Sequence, residues 1–72
     1  MKIQYDSETD ILLLIFSKNP PVEADILEDN EHFIWHYDSE NQPVQLEILQ
    51  ASQHVENINQ MIFEVVPNSS KK

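Results

Sequence analysis

One tetrapeptide occurs twice in this chain: Tyr5-Asp6-Ser7-Glu8 returns as Tyr37-Asp38-Ser39-Glu40. Each copy follows a short run of alternating apolar and polar residues and precedes another. Short polar side chains that bond the neighbouring backbone make such a cluster a turn. Period-two alternation on both sides makes the flanks strands. Two β-hairpins built on one plan are therefore expected, and two matched units are too few for a stacked repeat array. The chain contains no glycine, so a turn that needs positive φ must use Asn or Asp.

The pattern can be followed along the chain. Ile3 and Tyr5 share one face of a first strand. The second strand, residues 11–17, carries Leu12, Leu13 and Leu14 and is apolar on both faces, which implies burial on both. Pro20 and Pro21 cannot donate to a ladder and mark a loop. Over residues 22–29, Val22, Ala24 and Ile26 alternate with Glu23, Asp25 and Leu27. The acids Glu23, Asp25, Glu28 and Asp29 suit an exposed or edge strand. Phe33, Trp35 and Tyr37 share a face of the next strand, and Pro43 opens another with Val44, Leu46 and Ile48 on one side. If the second repeat carries one extra residue, Leu13 and Ile15 correspond to Leu46 and Ile48. The expected core face is then Ile3, Tyr5, Leu13, Ile15, Ile26, Phe33, Trp35, Tyr37, Val44, Leu46 and Ile48.

Ala51, Val55, Ile58, Ile62 and Val65 fall at helical spacing, with Ser52 able to cap a helix. Residues 61–66, however, are rich in β-branched and aromatic side chains. The expectation is a short helix near 51–58 and a strand near 61–66, with one longer helix as the alternative. The fold class is then α+β: a small antiparallel sheet of five to six strands with one short C-terminal helix. Residues 1–66 form one domain, and 67–72 a disordered tail.

Seventy-two residues bury a modest fraction of their surface. Small folds need a staple, and with no cysteine a disulfide is excluded. Oligomerisation is the staple that remains, so a homo-oligomer is expected. No apolar run is long enough to span a bilayer, and the N-terminal residues do not read as a signal peptide. The expectation is a soluble, cytoplasmic protein that does not engage membranes.

Charge narrows the range of partners. Thirteen acids face four lysines, giving a formal charge of −9. There is no arginine, and Lys71 and Lys72 end the chain. Such a surface repels nucleic acid and attracts a basic protein. Phe33, Trp35 and Tyr37 could stack bases, but the cationic half of that mechanism is missing.

Motifs for catalysis or metal binding are absent or incomplete. Asp6, Glu8 and Asp10 have the spacing of the first ligands of a calcium loop, but Ile11 stands where the glycine belongs and Ser17 where the closing glutamate belongs. His32 and His36 lie on a strand, where residues four apart are separated by roughly 13 Å, too far to share one ion. No serine sits in a nucleophile elbow, and no glycine-rich loop exists to cradle phosphate. No catalytic residue, metal ligand or cofactor is assigned.

The combination Tyr5-Asp6-x-Glu8-x-Asp10-x-Leu12, Tyr37-Asp38-x-Glu40 and Val44-x-Leu46-Glu47-Ile48-Leu49-x-Ala51-Ser52 resembles the YuzE-like bacterial proteins, domain of unknown function 2283. The resemblance covers residues 1 to about 55. This chain has Asn41-Gln42 where the family usually has a glycine, and Gln50 where an acid is common. The resemblance implies a compact antiparallel sheet with a little helix and no established activity. Some relatives are thought to be antitoxins encoded beside small ribonuclease-like toxins. The functional expectation is a non-enzymatic interaction module, an antitoxin-like partner of a small basic toxin being one form of it. Glu23, Asp25, Glu28 and Asp29 are the candidate partner-binding residues. The alternative is a small ligand-binding protein or enzyme that uses surface carboxylates.

Overall fold

The computed structural model describes residues 1–67. The strands are β1 (Lys2–Asp6), β2 (Ile11–Ile15), β3 (Glu23–Ile26), β4 (Phe33–Tyr37) and β5 (Pro43–Leu49), followed by one 3-10 turn at Ala51–Gln53. All pairings are antiparallel, in one open sheet of order β1-β2-β5-β4-β3. The last strand thus fills the centre of the sheet, and β1 and β3 are its edges. Among the described residues no helix is long and apolar enough to cross a membrane. Apart from Pro67, the tail expected over 67–72 lies outside the described residues.

The two Tyr-Asp-Ser-Glu segments make turns at opposite ends of the sheet, because Ile11 pairs with Leu49 at one end and Tyr37 with Pro43 at the other. In the first turn the Asp6 carboxylate accepts the Glu8 amide at 2.9 Å, and in the second Asp38 accepts the Glu40 amide at 2.9 Å. This side-chain mimic of a backbone turn is the physical content of the repeat. Asp10 (φ 58°) and Asn41 (φ 62°) take the left-handed positions within these turns, the role that falls to Asp and Asn when glycine is absent.

Register corrects the expected core face on β2. Tyr5 lies opposite Leu12 and Ile3 opposite Leu14; across β2, Leu12 meets Ile48 and Leu14 meets Leu46. Phe33 and Trp35 continue the same rows. Leu12 and Leu14 therefore face the core, and Leu13 and Ile15 face the other side, opposite Glu47 and Gln45. The reason is the first turn: pairing Asp6 with Ile11 fixes Leu12, not Leu13, beside Tyr5. Ile26 is also displaced from the expected core, since it pairs with Ile34 on that second face and is 57% exposed. Ile3, on an edge strand, is 46% exposed.

The buried centre is small. Leu12, Ile48 and Ala51 form it, with Tyr5, Leu14, Phe33, Leu46, Val55 and Ile58 packed around them. Val44 is buried as well.

The C-terminal expectations are also corrected. No helix runs over 51–58; the 3-10 turn is the only helical element there. Gln50 enters it in a left-handed conformation (φ 50°, ψ 49°), with no side-chain cap. The hydroxyl of Ser52, expected to cap a helix, is bound instead to Asp10 at 2.6 Å. Asn57 at φ 51° bends the chain again, and a helix this short is not favoured by itself. No strand forms over 61–66, where Ile62, Phe63, Val65 and Val66 are all at least 75% exposed. The sheet has five strands, and the molecule is mostly β.

Candidate functional site

The four candidate partner-binding acids fall at one sheet edge. Among the described residues β3 pairs only with β4, which leaves one side of its backbone without a ladder partner there, the usual state of an edge strand. Glu23 lies opposite Tyr37 and Asp25 opposite Trp35. Glu28 and Asp29 follow in the connection to β4, and all four residues are exposed. That connection is tied back by bonds from the Leu27 amide to the Phe33 carbonyl (2.9 Å) and from the Phe33 amide to the Asn30 carbonyl (3.1 Å). Glu23, Ala24 and Asp25 border a shallow groove with Tyr37 and Asn41. Among the described residues no lysine lies within 4.0 Å of the acids at 23, 25, 28 and 29.

Two other aspartates, Asp10 and Asp38, act as internal clamps. Asp10 accepts the Tyr5 hydroxyl at 2.7 Å and the Ser52 amide at 3.0 Å on Oδ1, and the Ser52 hydroxyl at 2.6 Å on Oδ2. Its carbonyl accepts the Ala51 amide at 2.9 Å. The Ser52 and Tyr5 hydrogen bonds hold the Asp10 carboxyl below the usual aspartate range, and the same contact with Asp10 raises the Tyr5 phenol. Asp38 accepts amides of Gln42 and Glu40 on Oδ1, each at 2.9 Å, and the Asn19 side-chain amide at 2.9 Å on Oδ2. The Gln42 amide, then Asn19, lowers its carboxyl.

The parallel between these clamps is instructive. Asp10 holds the chain as it leaves β5, and Asp38 holds it as it leaves β2. Each repeat thus fixes a distant segment at its own end of the sheet. Sequence reasoning missed both links because the partners are 42 and 19 residues away. The signals available were the Ala51-Ser52 pair and Asn19 beside the two prolines.

The histidines divide between separate partners. His36 Nε2 meets Glu47 Oε1 at 2.9 Å across β4 and β5. His32 Nδ1 meets His54 Nε2 at 2.9 Å, so one ring donates and the other accepts. The His54 ring also stands edge-on to Phe33, centroids 5.0 Å apart. Among the described residues no three histidine or carboxylate side chains converge on one point where an ion could sit.

Five antiparallel strands, two aspartate-centred turns and the closing bond to Ser52 define a small sheet module. The chain belongs to the DUF2283 family of proteins of unknown function, whose pattern matches residues 2–52. The matched span runs from the start of β1 to the serine that Asp10 holds, and so takes in the whole sheet and its closing clamp. No curated protein and no solved structure matches the chain.

Proposed function

We propose that this chain is a non-enzymatic protein-interaction module whose β3 edge receives an extended, basic segment of a partner protein. The observation that carries this reading is the coincidence at one edge of free backbone and four exposed acids, at 23, 25, 28 and 29. An added strand would satisfy the open ladder side of β3, with side-chain charge selecting a basic segment. The acids would act chiefly on the rate of encounter. An antitoxin bound to a small basic toxin is one arrangement of this kind. The groove beside Glu23 and Asp25 is shallow and, among the described residues, brings no histidine or lysine to them, which favours a docked strand over catalysis or small-ligand binding by these carboxylates.

The test is an amide NMR titration with a short peptide of alternating lysine and valine. Shifts centred on residues 22–27, weakened by added salt and by the double change Glu23→Gln with Asp25→Asn, are expected. Shifts centred elsewhere, or unaltered by that double change, would remove the β3 edge from consideration.

A further inference from the structure

Val55 and Ile58 pack against Leu12, Ile48 and Ala51, so the chain beyond β5 returns over the Leu12 face as a strap. Among the described residues no regular element beyond the 3-10 turn stiffens it, and the left-handed residues Gln50 and Asn57 bend it. Side-chain hydrogen bonds tie it to the sheet at Ser52, which Asp10 holds, and at His54, whose Nε2 meets His32 Nδ1 at 2.9 Å. The His32 end of that bond is itself seated. Its carbonyl accepts the Leu49 amide at 2.8 Å, and its amide donates to the Asn30 side chain at 3.0 Å.

We propose that the His32–His54 pair is a pH-sensitive latch, and that protonation of both rings releases residues 54–60 from the Leu12 face. Two facing ring nitrogens hold one proton between them, one donating and the other accepting. That bond persists when both rings are neutral, and it persists with one imidazolium, which then serves as the donor. When both rings are protonated, two N–H groups face each other with no acceptor, and two positive rings stand with centroids 5.1 Å apart. Attraction is then replaced by repulsion. Imidazole is the side chain that makes this change between about pH 8 and about pH 5.

The surroundings do not absorb the second charge. Among the described residues no carboxylate oxygen lies within 4.0 Å of either ring. Glu31 and Glu56, the acids nearest in the chain, are exposed. Phe33 meets His54 through its ring, centroids 5.0 Å apart. Asp10 and Tyr5 are bound to each other, and Glu47 is engaged by His36 on the opposite face of the sheet. The Asp10 link outlasts the histidine link on acidification, because its hydrogen bonds from Ser52 and Tyr5 keep its carboxyl below the usual aspartate range. The strap therefore opens from His54 onward with Ser52 as the pivot, uncovering Leu12 and Ile48 while the sheet stays paired. The β3 edge takes no part, so the latch is independent of the docking reading above.

The test is NMR on the full chain between about pH 8 and about pH 5. Methyl NOEs from Val55 and Ile58 to Leu12 and Ile48 should fade as pH falls. The His54 and Val55 amides both bond the Ala51 carbonyl at 2.9 Å. Their protection from exchange, corrected for the intrinsic effect of pH, should drop about tenfold, the worth of one net hydrogen bond. Amides paired between β2 and β5 should keep theirs. In His54→Gln, which stays uncharged, the Val55 and Ile58 contacts should not vary over this range. If that variant is unfolded by circular dichroism, the ring nitrogens of the wild type are followed instead, and the methyl contacts should be lost in step with protonation of the second ring. Contacts unchanged at the acid end, a pH dependence that survives in His54→Gln, loss out of step with the second ring, or loss spread equally through β2 and β5 would overturn the proposal.

Discussion

Leu12 and Leu13 are adjacent leucines on one strand, and the fold gives them opposite duties. Leu12 is 2% exposed and lies within the cluster of Ile48 and Ala51. Leu13 faces the uncovered side opposite Glu47. Leu12→Ala removes three carbons from a closed environment. At about 0.8 kcal/mol each the transfer loss is roughly 2.4 kcal/mol, and a residual cavity brings the total to about 3–4 kcal/mol, within the usual span for such truncations. At about 0.05–0.15 kcal/mol per residue, a domain this size has only about 4–10 kcal/mol of stability. The substitution should therefore remove roughly 30% or more of it and lower Tm by more than 10 °C, at roughly 4–8 °C per kcal/mol. Leu13→Ala should cost less, about 1–2 kcal/mol, because its side chain is only half-buried. Urea unfolding followed by the fluorescence of Trp35, the single tryptophan, reports both. Equal losses at the two positions, or a larger loss at Leu13, would refute the register and with it the assignment of faces.

Acid should weaken the fold through the two clamps. Asp10 and Asp38 both titrate below the ordinary value of 3.8 in the folded chain, so their contribution is complete above that value and is lost as pH falls through the lower folded values. Asp10→Asn and Asp38→Asn should each lower stability at neutral pH and flatten its decline below pH 4, a slope read from denaturation midpoints. At the alkaline end, Tyr5 is raised above 10.0, so its contribution is complete below that value and fades as pH rises through the folded one; Tyr5→Phe should abolish that loss. Ser52→Ala should move the Asp10 carboxyl back toward the ordinary value in carbon-detected NMR titration and lower Tm, and an unmoved Asp10 would contradict the clamp. The purified chain should not retard duplex or single-stranded nucleic acid, given its charge of −9; retardation that weakens with salt would refute this.

Local chemistry was legible in the sequence wherever it had a local cause. The Tyr-Asp-Ser-Glu segments are turns because each leading aspartate reaches an amide two residues on. Phe33, Trp35, Leu46 and Ile48 were placed on the correct face because β4 and β5 alternate. The prolines at 20 and 21 kept the chain out of the sheet, and the acids of 22–29 marked an edge strand that the fold does place at an edge.

What only the tertiary structure decided is where those cues fall silent. Ile-Leu-Leu-Leu-Ile has no alternation, so its own residues carry no information about which face is inward; pairing with Tyr5 and Ile48 supplies it. The placement of β5 between β2 and β4 depends on pairings between strands far apart in the chain. Ser52 is an adequate helix cap in isolation, but the Asp10 carboxylate, brought to it by the closing of the sheet, binds its hydroxyl and amide together. Segment 61–66 has the residues of a strand yet finds no partner among the described residues, and strand propensity without a neighbouring ladder leaves the backbone to water.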